Sequence, residues 1–156
     1  MFMRGSKLTT IWKLSPGMYG PLAEAAILPL FVRAAFSTVG VLRTQGLLRR
    51  WARTSAVQPA EALGVVDRVL RAQNIVGRNL GRQGACLVRS LTLQTMLLRR
   101  GVDSTLRVGF RRKNGAMEGH AWIERDGHPL NESAESAATY VLLEDADSLH
   151  DWRSLK

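Results

Sequence analysis

Cysteine is nearly absent from this chain, with Cys86 its one representative. A single thiol cannot close an intramolecular disulfide, so the chain suits a reducing compartment, and a cytoplasmic location is expected. Acidic residues are scarce over most of the length. Residues 1–113 carry 19 Lys/Arg against 4 Asp/Glu, net +15, whereas residues 114–156 carry 3 against 9, net −6. A basic front portion attracts anionic partners. The aromatics that a single-strand binder interleaves with its arginines are missing, however, so no nucleic-acid partner is expected. Long apolar runs are lacking too. The best stretch, residues 23–36, is interrupted by Glu24, Pro29 and Arg33, which argues against a membrane span. That stretch starts late and contains charge, which disfavours a signal peptide. Weak contact with a membrane surface by an amphipathic helix stays open. There is no internal repeat and no low-complexity segment.

What is present fits one globular domain: 156 residues, 46% of them hydrophobic. From Pro21 to about Arg53 the residues favour helix, with Pro29 and Gly40 expected to kink or divide it. Pro59 opens a second helical region, where Leu63, Val66, Val69 and Leu70 recur at spacings of three and four. Residues 74–85, with Gly77, Gly81 and Gly84, read as a loop leading into Cys86. The helix that begins there is apolar over most of its circumference (Leu87, Val88, Leu91, Leu93, Met96, Leu97, Leu98), as a central buried helix is. Arg99, Arg100 and Gly101 suit its C-terminal end.

Beyond Gly101 the period changes. Residues 105–111 alternate as a half-buried strand does. Arg112 to Gly115 read as a turn, residues 120–125 as a second strand, 128–132 as a third and 139–143 as a fourth. Helices first, then an antiparallel sheet, gives an α+β fold with the Cys86 helix at the junction.

Cys86 at a helix start, His120 on a strand and an acid beyond it are the parts of a cysteine nucleophile site. A helix N-terminus and a nearby imidazolium stabilise a thiolate. The plain alternative is a small, inert, buried side chain, the common fate of a free cysteine. His120 is preferred over His128, which follows a turn, and His150, which lies in the acidic tail. The imidazole also needs an acceptor to orient it. A three-residue Arg125-Asp126-Gly127 loop sets His120 opposite Glu132. A two-residue Asp126-Gly127 turn sets it opposite Ser133 and pairs Asn131 with Trp122. The first register puts a carboxylate beside the histidine, so Glu132 is preferred, then Asn131, then Asp126. Gln83, three residues before Cys86, can lend a donor to an oxyanion, and Trp122 can wall a cleft. An ordinary loop residue and a core residue are the plainer readings of those two.

The blocks Cys86-Leu87-Val88-Arg89-Ser90-Leu91, Leu97-Leu98-Arg99-Arg100-Gly101-Val102, Leu106-Arg107-Val108-Gly109-Phe110 and Gly119-His120-Ala121-Trp122-Ile123-Glu124, in that order and spacing, resemble the transglutaminase-like leader peptidases of lasso-peptide biosynthesis. The resemblance spans roughly residues 82–132. It implies a papain-like cysteine-protease core over residues 56–156, with Cys86 as nucleophile and His120 as base. The family's acid, usually Asp, falls near Glu132. The implied substrate is the leader–core junction of a ribosomally made precursor peptide, and no cofactor or metal is implied.

Longer relatives carry a leader-capturing domain. This chain is short and helical at its front, so a separate leader-binding protein is the implied partner, with a lasso cyclase acting next. Residues 1–55, basic and apolar, are the expected docking surface. Two other outcomes are compatible with the same residues: acyl transfer to an amine in place of water, and a non-catalytic module that binds peptide or membrane.

Overall fold

The computed structural model describes residues 16–52, 57–77 and 86–143. After a 3₁₀ turn at Pro16–Met18 come two helices, Tyr19–Val39 (α1) and Val41–Ala52 (α2). Gly40 parts them with a φ of +78°, a left-handed value that costs glycine no Cβ clash. Pro29 does not divide the helix, and α1 runs through it. Proline removes one backbone bond there, and Ala25, Leu28 and Val32, buried on both sides of it, hold the helix against the core. The run that Glu24, Pro29 and Arg33 interrupt in the sequence is thus one continuous helix. It is long and apolar enough to cross a membrane, by length and composition alone, and only 17% of its most apolar window is buried. Glu24 turns towards the interior. Its two carboxylate oxygens meet Arg99 at 3.0 Å and Arg100 at 2.7 Å, tying α1 to the end of the Cys86 helix. The Arg99 guanidinium also lies over the Trp51 ring of α2.

Helix α3 spans Pro59–Gly77, so Asn74 belongs to the helix and not to the loop expected from there on. Its buried stripe is Ala62, Val65, Val66, Val69 and Ala72, while Leu63 is exposed. Packing against α1 and α4 selects the face with the smaller side chains, which lets the helices approach. Helix α4, Cys86–Leu98, is buried almost all round, as its composition predicts. Gly101, with φ +71°, closes it: the Gly101 amide donates to Leu98 O and the Val102 amide to Leu97 O, both at 3.0 Å.

The sheet is antiparallel, in the order β3-β2-β1-β4, formed by Thr105–Lys113 (β1), Ala116–Arg125 (β2), His128–Pro129 (β3) and Val141–Leu142 (β4). Asn114 and Gly115, then Asp126 and Gly127, all have positive φ, which makes both hairpin turns two-residue turns. The preferred three-residue loop is therefore overturned: Arg125 pairs with His128 and Glu124 with Pro129. Strand β3 is two residues long where five were expected. A short helix that the reading lacked, Ala134–Ala137 (α5), follows it, its first turn capped by the Ser133 hydroxyl.

Alternation gives the sheet two characters. Leu106, Ala121 and Ile123 face α4 and join the core that runs through α1, α3 and α4. Gly109, Arg111, Glu118, His120 and Trp122 share the opposite face. The fold is α+β, helices first, with an antiparallel sheet packed on the helix that Cys86 opens. Residues 1–15, the glycine-rich lead-in with Gln83, and the acidic tail with His150 lie outside the described residues.

Candidate active site

Because β3 ends at Pro129, the outer edge of β2 loses its partner strand before it reaches His120. One further backbone bond forms, from the Leu130 amide to Ile123 O at 2.8 Å. Side chains then replace the strand. The Ile123 amide donates to Asn131 Oδ1 at 2.8 Å, and the Ser90 hydroxyl of α4 donates to Ala121 O at 2.9 Å. Asn131 Nδ2 donates to the same Ser90 oxygen at 3.1 Å.

These bonds also set the direction of α4. Ser90 stands beside Ala121. One turn later, Gln94 Nε2 donates to Ser104 O at 2.9 Å, immediately before Thr105, whose partner is Glu124. The helix therefore runs the same way as β2. Cys86 lies one turn before Ser90, about 6 Å back along the axis, and so comes level with Gly119 and His120. Its thiol is free and half-buried.

His120 Nε2 meets Glu132 Oε2 at 2.7 Å. The pair forms without the ladder register that was expected to make it: the chain leaves β3, is held at Asn131, and brings Glu132 across to the histidine. Glu132 Oε1 accepts from the Ser133 amide at 3.0 Å. Burial works against the Glu132 charge, but the Ser133 amide and His120 together outweigh it and hold the carboxyl below its ordinary value.

Aromatic rings enclose the histidine. Its centroid lies 5.2 Å from Tyr140 and 6.0 Å from Trp122, both near-parallel. Trp122 is almost wholly buried and donates from Nε1 to Glu124 at 2.8 Å. The Arg111 guanidinium lies 4.3 Å from the Tyr140 ring centroid and donates to Glu118 at 2.8 Å and Thr139 at 2.7 Å. Burial pushes the Tyr140 hydroxyl upwards, against Arg111; the Cys86 thiol is among the groups whose charge bears on it. Gly109, the cross-strand partner of His120, leaves the space that Tyr140 occupies. A shallow cleft beside these rings is lined by Trp122 and Tyr140, with Ala134 and Ala137 on its wall. Trp122 is thus both a packed residue and a cleft residue.

The structure joins His120 to Glu132 at 2.7 Å and places Cys86 at the first position of α4, the helix packed on the other face of the sheet. Asn131 contacts Ser90 and the β2 backbone. Asp126 does not reach the site: it sits exposed on the hairpin turn against Arg125 at 3.3 Å. Among the described residues no three of His, Cys, Asp and Glu converge to hold a metal ion. Sequence reasoning missed Ser90, Tyr140 and Gly109. Two signals were available: Ser90 falls four residues after Cys86, on the same helix face, and Gly109 interrupts an alternating strand, as a close approach requires.

No curated protein and no solved structure matches this chain. The sequence model of the transglutaminase-like superfamily matches residues 30–144, a span that takes in α4, the whole sheet and the segment bearing Glu132, so the chain belongs to the transglutaminase-like superfamily, whose members are generally cysteine-dependent enzymes.

Proposed function

We propose that this protein is a cysteine peptidase that removes the leader from a ribosomally made lasso-peptide precursor, with Cys86, His120 and Glu132 as its triad. One observation carries the reading: His120 is held at Nε2 by Glu132 at 2.7 Å, as a catalytic imidazole is held by its orienting acid.

With Nε2 engaged, Nδ1 is the nitrogen that takes the thiol proton. The thiolate gains from the α4 N-terminus and from the imidazolium it creates. It adds to the carbonyl carbon at the leader–core junction, and backbone amides at the head of α4 receive the oxyanion. As the adduct collapses, His120 gives its proton to the departing core amine, leaving the leader as a thioester on Cys86. Water, deprotonated by His120, adds to that thioester. The C–S bond breaks, the leader departs as a carboxylate and the thiol is restored. Glu132 keeps the ring oriented and stabilises the imidazolium at both stages. The cleft beside Trp122 and Tyr140 receives a side chain of the precursor.

A separate leader-binding protein presents the precursor, docked on α1, and a lasso cyclase uses the freed amine. The α1 face offers Ile27, Leu30 and Phe31, which are 53%, 67% and 65% exposed, a larger contiguous apolar surface than scattered exposed residues make. The unpaired thiol must stay reduced, in keeping with a cytoplasmic reaction.

Incubating the protein with synthetic precursor and the leader-binding partner, then weighing the products, tests this. Two fragments should appear whose summed masses exceed that of the precursor by one water, and Cys86→Ala should yield neither while melting normally. Cleavage at the wild-type rate by that variant would sink the proposal. Adding a primary amine to the same reaction reports the competing acceptor, since acyl transfer would give a leader adduct bearing the amine.

A further inference from the structure

We infer that Ser90 and Asn131 are positioning residues that hold Cys86, His120 and Glu132 in mutual register; this rests on the reading of those three as a nucleophile site. Three segments meet at one hydroxyl. Ser90 is four residues after Cys86, Ala121 follows His120, and Asn131 precedes Glu132. The Ser90 oxygen bonds to both of the others, at 2.9 Å to Ala121 O and 3.1 Å from Asn131 Nδ2. Among the described residues no other contact in the site links α4, β2 and the segment bearing the acid at a single atom.

The arrangement admits one orientation. Ser90 is fully buried, and its single proton goes to Ala121 O. Asn131 must then donate to Ser90, and its Oδ1 must accept from the Ile123 amide, at 2.8 Å. Turned over, the side chain would set its NH₂ against the Ile123 N–H, donor against donor. Asn131 is thereby locked to the open edge of β2, and Glu132 departs from a fixed point. Ser90 locks the first turns of α4 to the same edge.

Aspartate at position 131 separates this role from that of an alternative acid. It would bring a carboxylate near His120 but could not donate to Ser90, whose proton is already committed. A positioning role predicts that N131D fails, and an acid role that it succeeds.

The test follows the rate of Cys86 alkylation by iodoacetamide at one fixed, mildly acidic pH on the full chain, with no peptide substrate. The wild-type thiol should react at least about tenfold faster than free cysteine under the same conditions. In S90A and N131D that rate should fall about tenfold. S90T, which keeps the hydroxyl, should stay near wild type. Melting curves establish that each variant is folded, and should the Ser90 variants not fold, N131D, at a half-buried position, decides alone. A lowered melting temperature with an unchanged alkylation rate would make the bonds purely structural and overturn the inference. A wild-type rate no faster than that of free cysteine would instead remove the nucleophile reading on which it stands.

Discussion

The two ring nitrogens of His120 have different surroundings. Nε2 is held by Glu132 at 2.7 Å, while Tyr140 and Trp122 stack on the ring and restrict its tilt. In the proposed mechanism an imidazole fixed in this way loses little freedom when it moves a proton. Glu132 is the more informative partner for titration. Its folded-state value lies below its ordinary 4.5, so the stability it contributes is fully present above 4.5 and is lost as pH falls through the lower, folded value. Glu132→Gln should therefore flatten the stability profile in the acid window below 4.5. It should also cut peptide cleavage about 10²- to 10⁴-fold, as loss of an orienting carboxylate does. Denaturation midpoints between pH 3 and pH 6 check the first claim; an unchanged acid slope would mean that the carboxylate is not held as described. The residue types at this scale were legible beforehand, because a lone thiol at a helix start and a strand histidine have few chemical uses. Tyr140 was not legible. Its stacking depends on a segment that returns across the sheet, which no local pattern announces.

At the scale of elements, both hairpins obey their turn chemistry. Asn114-Gly115 and Asp126-Gly127 are two-residue turns with positive φ, and the second sets the register of β3. The expectation erred by asking the ladder to deliver Glu132 to His120, when β3 ends first and side chains from Ser90 and Asn131 complete the edge. On the other side of the sheet, β4 is only two residues long, pairing Val141 with Phe110 and Leu142 with Gly109. A Cβ at Gly109 would lie 2.9 Å from both Tyr140 Cβ and Val141 O, and 3.2 Å from the Trp122 ring. Backbone cannot yield as a side-chain tip can. Gly109→Ala should displace β4 and Tyr140 together and cost about 1–3 kcal/mol in chemical denaturation, the usual range for overpacking. A loss below about 0.5 kcal/mol, the scale of an ordinary surface change, would show that the β4 segment adapts freely.

For the molecule as a whole, the helices and the sheet share one core, and α1 contributes only part of its circumference to it. Ala25, Leu28 and Val32 face inwards, while Ile27, Leu30 and Phe31 remain on the surface. Replacing Leu30 and Phe31 by serine should leave the melting temperature almost unchanged, since neither side chain is buried within the chain. The same change should weaken capture of the proposed leader-binding protein at least tenfold, measured by calorimetry on the two purified proteins. Equal affinity would move the docking surface elsewhere.

Periodicity alone determined that helices precede an antiparallel sheet, that α4 is central, and that a thiol, an imidazole and a carboxylate are the groups available for chemistry. Those conclusions follow from local rules: 3.6-residue and two-residue repeats, turn residues, and the reactivity of each side chain. Only the tertiary structure decided which face of α3 is buried, that α1 passes through Pro29, and that Glu132 reaches His120 after the ladder has ended. The reason is physical. A strand edge left open by a two-residue β3 must satisfy its backbone groups, and Ser90 and Asn131, 41 positions apart, satisfy them only once α4 has docked on the sheet.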